Sequence, residues 1–335
     1  MANEIEKKEL SQSERFMNMV IKEFNNGVGE LALTDFQKRL AQNYFISLDG
    51  VLKSAEEKRL KSKTKQGNDW VLKNTLPINW QNVNMQQLAC DVVSAARVGL
   101  DPAQKNHVSL IPYKNNALGK YDIGFVDGYR GIELKAKKYG LDIPDSVTVE
   151  LVFANDKFKE IKKDRNHPVE SYEFEIVNSF DRGAVVGGFY YHSYSKSPEK
   201  NRLVVFTLKD ILKRKPKYAS VEFWGGEKDV WEGGKKVGTE TVDGWYEQMC
   251  YKTIYRAAYG DVTIDSQKID DDYLRLKQAE NNMTEAQVEE EISANANTEP
   301  IDIQGTVVQD QPKEEPKSGH PAENQQTMDL GDPGF

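Results

Sequence analysis

Residues 99–140 read GLDPAQKNHVSLIPYKNNALGKYDIGFVDGYRGIELKAKKYG, the chain's densest mixture of glycine, aromatic and basic residues. Two strand-like runs, 108–113 and 121–125, are followed at Asp127-Gly128 by a helical pattern. In that helix Tyr129, Ile132, Ala136 and Tyr139 recur at core-facing spacing, which leaves Arg130, Lys135, Lys137 and Lys138 outward. Gly99 ends the helix before it, and Asp101-Pro102 forbids continuation. Two strands and a basic helix make a surface suited to a polyanion, with free amides at the helix start available for a phosphate.

Upstream, the pattern is helical. Residues 13–25 place Phe16, Val20 and Phe24 on one face. Thr34 with Gln37 is a capping-box signature, after which Phe36, Leu40, Tyr44, Leu48 and Leu52 recur at helical spacing. Residues 53–66 carry Lys53, Lys58, Arg59, Lys61, Lys63 and Lys65. They read either as a solvated helix end or loop, or as a phosphate-contacting arm. Asn84 can cap a third helix whose buried stripe is Met85, Leu88, Val92, Ala95 and Ala96.

Downstream, the period changes to two. Residues 147–153, 172–177, 185–194 and 203–207 read as strands of an antiparallel sheet with one wet face. Thr207 caps a short helix that ends in Lys213-Arg214-Lys215-Pro216-Lys217, and residues 224–244 read as a long Gly- and Trp-rich loop. In the helix over 243–259, Trp245, Met249, Thr253, Ala257 and Ala258 form one face and Lys252 and Arg256 another. Residues 281–335, rich in Glu, Gln, Asn and Pro, read as a disordered acidic tail. Four parts are expected: an N-terminal helix and mobile arm (1–33), a binding core (34–260), an acidic connector (261–280) and the tail.

The 335 residues carry a net charge of -8. From residue 261 onward there are 18 acids and 5 bases, which leaves the body with 40 bases against 35 acids. The body is mildly basic and the tail acidic. Two cysteines, Cys90 and Cys250, form no disulfide framework and point to a reducing compartment. With no signal-peptide or membrane-span pattern, a soluble intracellular protein is expected. The histidines and cysteines have no zinc-ligand spacing, Gly233-Gly234-Lys235-Lys236 does not complete a phosphate loop, and no nucleophile elbow occurs. No cofactor is expected. One enzyme alternative is a metal-dependent nuclease using Asp122, Glu133 and Lys135, but residues two apart on a helix point to different faces.

Single-strand binders join a cationic groove to aromatic faces. The opening stretch supplies Lys105, Lys114, Lys120, Arg130, Lys135, Lys137 and Lys138 beside Tyr113, Tyr121, Phe125 and Tyr129, with His107 as a hydrogen-bonded residue or phosphate contact. Further candidates are Lys213, Arg214, Lys215, Lys217, Lys252 and Arg256. The plainer reading makes the tyrosines core and the lysines solubilising. A module that binds RNA or single strands without annealing is also open, since cations do not read the 2′-hydroxyl.

Ala95-Ala96 with Gly99-Leu100-Asp101-Pro102, then His107, Leu110-Ile111-Pro112-Tyr113 and Gly128-Tyr129-Arg130-Gly131-Ile132, resemble the signature of the RecT/Redβ family of phage and prophage single-strand annealing proteins. The likeness runs from about Thr34 through Asp261. It implies an α+β fold, a small antiparallel sheet packed with helices, with DNA in a positive groove across neighbouring subunits. It also implies an ATP-independent recombinase, not an enzyme, that binds single-stranded DNA and holds the annealed duplex in a homo-oligomeric filament or ring. Implied partners are a 5′→3′ exonuclease and, through the C-terminal region, a host single-strand-binding protein, in the cytoplasm of a bacterial host. Lys105, Arg130 and Lys138 fall where the family concentrates cations. The ending Asp332-Pro333-Gly334-Phe335 is similar to the acidic tip of bacterial single-strand-binding proteins, while composition alone favours a solubilising tail.

Overall fold

The computed structural model describes residues 10–28, 34–61, 72–73, 75–216, 219–232 and 235–295. Helices α1 (Gln12–Val28), α2 (Asp35–Lys61) and α3 (Met85–Val98) come first. Each starts at a side-chain cap. Ser11 and Glu14 exchange hydrogen bonds, as do Thr34 and Gln37, and the Asn84 side chain accepts from the Gln87 amide. Phe16, Val20, Phe24, Leu40, Tyr44, Leu48, Leu52, Leu88, Val92, Ala95 and Ala96 are buried, as their spacing predicts. Phe36 is exposed instead, because it sits in the first turn of α2, one turn before that helix reaches the core. Residues 53–61 continue α2; residues 62–66 of the expected basic arm and residues 1–9 lie outside the described residues.

Strands β1 (Val108–Asn115) and β2 (Lys120–Asp127) pair antiparallel, from Val108 opposite Asp127 to Asn115 opposite Lys120. Helix α4 (Tyr129–Tyr139) follows. Leu110, Ile123, Phe125 and Tyr139 join the three N-terminal helices in one core.

A second core forms around β3 (Ser146–Phe153), β6 (Val185–Ser193) and β7 (Arg202–Thr207), an antiparallel sheet in the order β3-β6-β7. Helix α7 (Tyr246–Gly260) covers one face with Cys250, Ile254 and Ala258. The other face is not left wet as expected. The hairpin of β4 (Lys157–Ile161) and β5 (Ser171–Glu175) brings Phe158, Tyr172 and Phe174 against Phe189, at centroid distances of 4.6–5.6 Å. Past β7 come α5 (Leu208–Leu212), closed by the Thr207–Asp210 capping box, and α6 (Val221–Trp224).

The stretch 224–244 is not a loop: β8 (Gly226–Glu232) and β9 (Lys235–Val242) pair as a hairpin. Val230, Val237, Thr239 and Thr241 are strand formers, which the sequence reading of this stretch as a loop passes over. Helix α8 (Asp271–Asn295) also corrects the sequence reading, because the expected boundary at 280/281 falls inside it. Its polar composition conceals Leu276, Ala279 and Met283, which are buried, with Met283 packed over Gly124. Arg275 Nε donates to the buried Asp91 carboxylate of α3 at 3.0 Å, as does Gln87 Nε2. Burial raises the Asp91 pKa to about 6 despite Arg275. Residues 296–335, the larger part of the expected tail, lie outside the described residues. No described helix is long and apolar enough to cross a membrane.

Candidate nucleic-acid interface

The β1–β2 register puts Asp127 opposite Val108, so the start of α4 that follows it lies against the loop at 106–107. The Gly-x-x-Gly spacing makes that approach possible. A Cβ on Gly128 would lie 2.0 Å from the Asn106 carbonyl oxygen, and one on Gly131 would lie 2.1 Å from that of His107. The Gly128 amide donates to the His107 carbonyl at 2.9 Å and the Arg130 amide to that of Asn106 at 3.1 Å. These two amides are therefore spent on the loop and are not free for a phosphate, contrary to expectation. Asn106 adopts φ 64°, a left-handed conformation that Asn tolerates better than most residues.

Packing at the loop projects the two residues between the glycines. Arg130 is exposed. Tyr129 is half-buried, edge-on to Tyr255 of α7 at 5.0 Å, and accepts a weak hydrogen bond from Asn106 Nδ2 at 3.4 Å. The Tyr255 hydroxyl donates to Glu133 Oε2 at 2.6 Å; burial and that carboxylate raise its pKa far above the ordinary phenol value. Burial pushes Glu133 up, but Lys137, Tyr255 and Tyr259 hold it net below the usual carboxylate range.

Helix α7 adds Lys252 and, one turn on, Arg256, whose Nη1 donates to the Asp127 carbonyl at 2.8 Å. Lys105, Tyr129 and Lys252 line a groove of 840 Å³ whose other walls include Phe223, Trp245 and Tyr251. Arg214 and Arg256 line a second concavity of 290 Å³ with Ile132 and Thr253. Five cations, Lys105, Arg130, Arg214, Lys252 and Arg256, thus border α4 and α7. Among the described residues, none of the five forms an ion pair with a carboxylate.

The other expected cations are placed differently. Lys135 turns inward rather than outward: its Nζ lies 2.5 Å from Asp127 Oδ2, with both side chains mostly buried. Lys137 pairs with Glu133 at 2.7 Å, and Lys138 donates to the Arg97 carbonyl at the end of α3. Lys114 and Lys120 sit near the far tip of the β1–β2 hairpin, seven residues or roughly 23 Å along the strands from the α4 end. Lys213 lies 3.9 Å from Asp210, Lys215 stacks over Trp224 at 5.6 Å, and Lys217 is outside the described residues. Among the described residues, the Nδ1 of His107 is buried without a hydrogen-bond partner.

The nuclease alternative finds no convergent site. Asp122 accepts from Asn84 and Asn115 at 2.8 and 2.7 Å, Glu133 is tied to Lys137 and Tyr255, and Lys135 is tied to Asp127. Sequence reasoning also misses residues. Trp245, expected on the buried face of α7, is 59 % exposed at the groove, with Phe223 and Tyr251 beside it. The spacing Cys250, Ile254 and Ala258, strictly four apart, is the signal that locates the core face.

A family model described as the RecT family matches residues 70–290, a span that includes both hairpin and groove. The comparisons with curated proteins and with solved structures returned no match.

Proposed function

The chain belongs to the RecT family, and on that premise we propose that it is an ATP-independent DNA single-strand annealing protein whose five unpaired cations hold the phosphates of a single strand. Family membership supports a role in single-strand annealing and recombination; the gathering of Lys105, Arg130, Arg214, Lys252 and Arg256 beside α4 and α7 supports the location. Each cation without a carboxylate partner can release counterions when it meets a phosphate. Contacts to the backbone alone leave base edges free to test pairing, and neutralised phosphates let a second strand approach. The chain works as a homo-oligomer on DNA made single-stranded by a partner 5′→3′ exonuclease, and the C-terminal region meets a host single-strand-binding protein.

Titrating single-strand affinity against salt tests the location. Arg130→Ala with Arg256→Ala should flatten the logarithmic slope by roughly 0.7 for each phosphate left without its cation, and should slow nucleotide-free annealing. An unchanged slope and annealing rate would place the strand elsewhere.

A further inference from the structure

The groove beside the cations differs from them in character. Phe223 and Trp245 are 54 % and 59 % exposed, and neither ring contacts another ring among the described residues. Their backbones are held together. The Trp245 amide donates to the Phe223 carbonyl at 2.9 Å, and the Trp245 carbonyl accepts from Met249 in the first turn of α7. A tryptophan and a phenylalanine, both more than half exposed, thus line one groove from a hydrogen-bonded backbone.

The groove walls carry charge of both signs. Glu150 and Glu247 line the groove along with Lys105 and Lys252 but form no ion pair with them, and Arg182 is committed to Asp156 at 2.6 Å and to the face of Phe153 at 4.1 Å. Glu150 and Glu247 disfavour a phosphate among the aromatic rings, whereas Arg130 and Arg256 outside the groove, with Lys105 and Lys252 along it, attract one. Tyr129 and Lys252 line the groove and are next in sequence to Arg130 and to Thr253 of the second concavity, so a strand that follows the outer cations passes the mouth of the groove.

We propose that this groove takes an unstacked nucleobase of the bound strand, with Trp245 and Phe223 as its stacking surface; the proposal rests on the annealing reading above. Stacking engages the flat face of any base, so the site is sequence-tolerant and leaves pairing edges uncommitted. The cationic border favours this occupant over an apolar side chain from a second copy of the chain.

The test uses the full chain with Trp245→Ala and Trp245→Phe, binding a thymidine oligomer and an abasic oligomer of equal length across a salt series. Trp245→Ala should weaken thymidine binding by about tenfold with an unchanged salt slope, and Trp245→Phe should recover most of the loss. The wild-type chain and Trp245→Ala should bind the abasic strand alike. Equal binding of thymidine by both, or an equal loss on the abasic strand, would overturn the base pocket. So would a change in oligomer size by light scattering with single-strand affinity intact, which would assign the groove to contact between copies. The Arg130→Ala, Arg256→Ala slope reports on the cation assignment independently, so failure of either is seen without the other.

Discussion

The start of α4, with the turns of α7 beside it, and the far end of α4 both carry cations and use them in opposite ways. At its start, Arg130 is exposed, and Lys252 and Arg256 stand nearby without a carboxylate partner among the described residues. Farther along, Lys135 is buried against Asp127, Lys137 is paired with Glu133, and Lys138 bonds the last turn of α3. Carboxylates neutralise Lys135 and Lys137 but, among the described residues, none of the first group, while Lys138 and Arg256 each bond a backbone carbonyl, at the end of α3 and of β2 respectively. Counting basic residues therefore overstates the charge a polyanion meets; the partners of each cation decide it.

The sharpest way to break this contrast is to lift the start of α4 off its loop. Gly131→Ala forces a Cβ into the His107 carbonyl, and unfolding in denaturant should show a loss of about 3 kcal/mol, accompanied by weaker single-strand binding. Next in size is Lys135→Ala, which strands Asp127 in a mostly buried site and should cost about 3 kcal/mol at neutral pH without changing the salt slope of DNA binding. Its pH dependence has a definite sign. Burial raises Asp127 above its ordinary value despite Lys135, and removing the lysine raises it further. A carboxyl with a raised folded-state pKa favours folding below the unfolded value and loses that contribution as pH rises through the folded one. The gap between wild type and Lys135→Ala should thus be small in acid, where Asp127 is protonated, and widen toward neutrality. A gap independent of pH would show that the lysine contributes packing alone.

Lys138→Ala removes one hydrogen bond to the Arg97 carbonyl, worth about 1 kcal/mol in thermal unfolding. Lys137→Ala removes an exposed helix pair, worth roughly 0.3–0.5 kcal/mol. Neither should alter the salt slope. A reduced slope in either variant would move these lysines into the first group and erase the distinction between the two ends.

What the sequence discloses follows the range of the interactions involved. Caps at Thr34, Asn84 and Thr207 are read from residues three apart, and the β1–β2 hairpin from alternation between turn residues. The face of α7 is ambiguous in the sequence because Met249, Thr253 and Ala257 make a stripe as plausible as Cys250, Ile254 and Ala258; contact with the sheet chooses the second. Helix α8 stays hidden because its burial depends on Asp91, Gly124 and neighbouring residues more than a hundred positions away. For the interface, residue type locates Arg130, Lys252 and Arg256, but only the fold separates them from Lys135 and Lys138. Helical spacing puts Trp245 in the core, and the fold puts it at the groove.

The seat of α8 has a consequence for how the chain is made. Leu276 belongs to the same core as Phe16, so a cluster begun by the first described helix is closed only by the last described one. Contacts of such sequence separation form late and slow folding, because the intervening loop must close first. Until residues 271–283 have emerged, the α3 surface around Asp91 and the cleft over Gly124 stay exposed to the solvent and to other nascent chains. A chain shortened at the change in composition near residue 260 would keep that immature surface permanently, and aggregation during synthesis is the expected result.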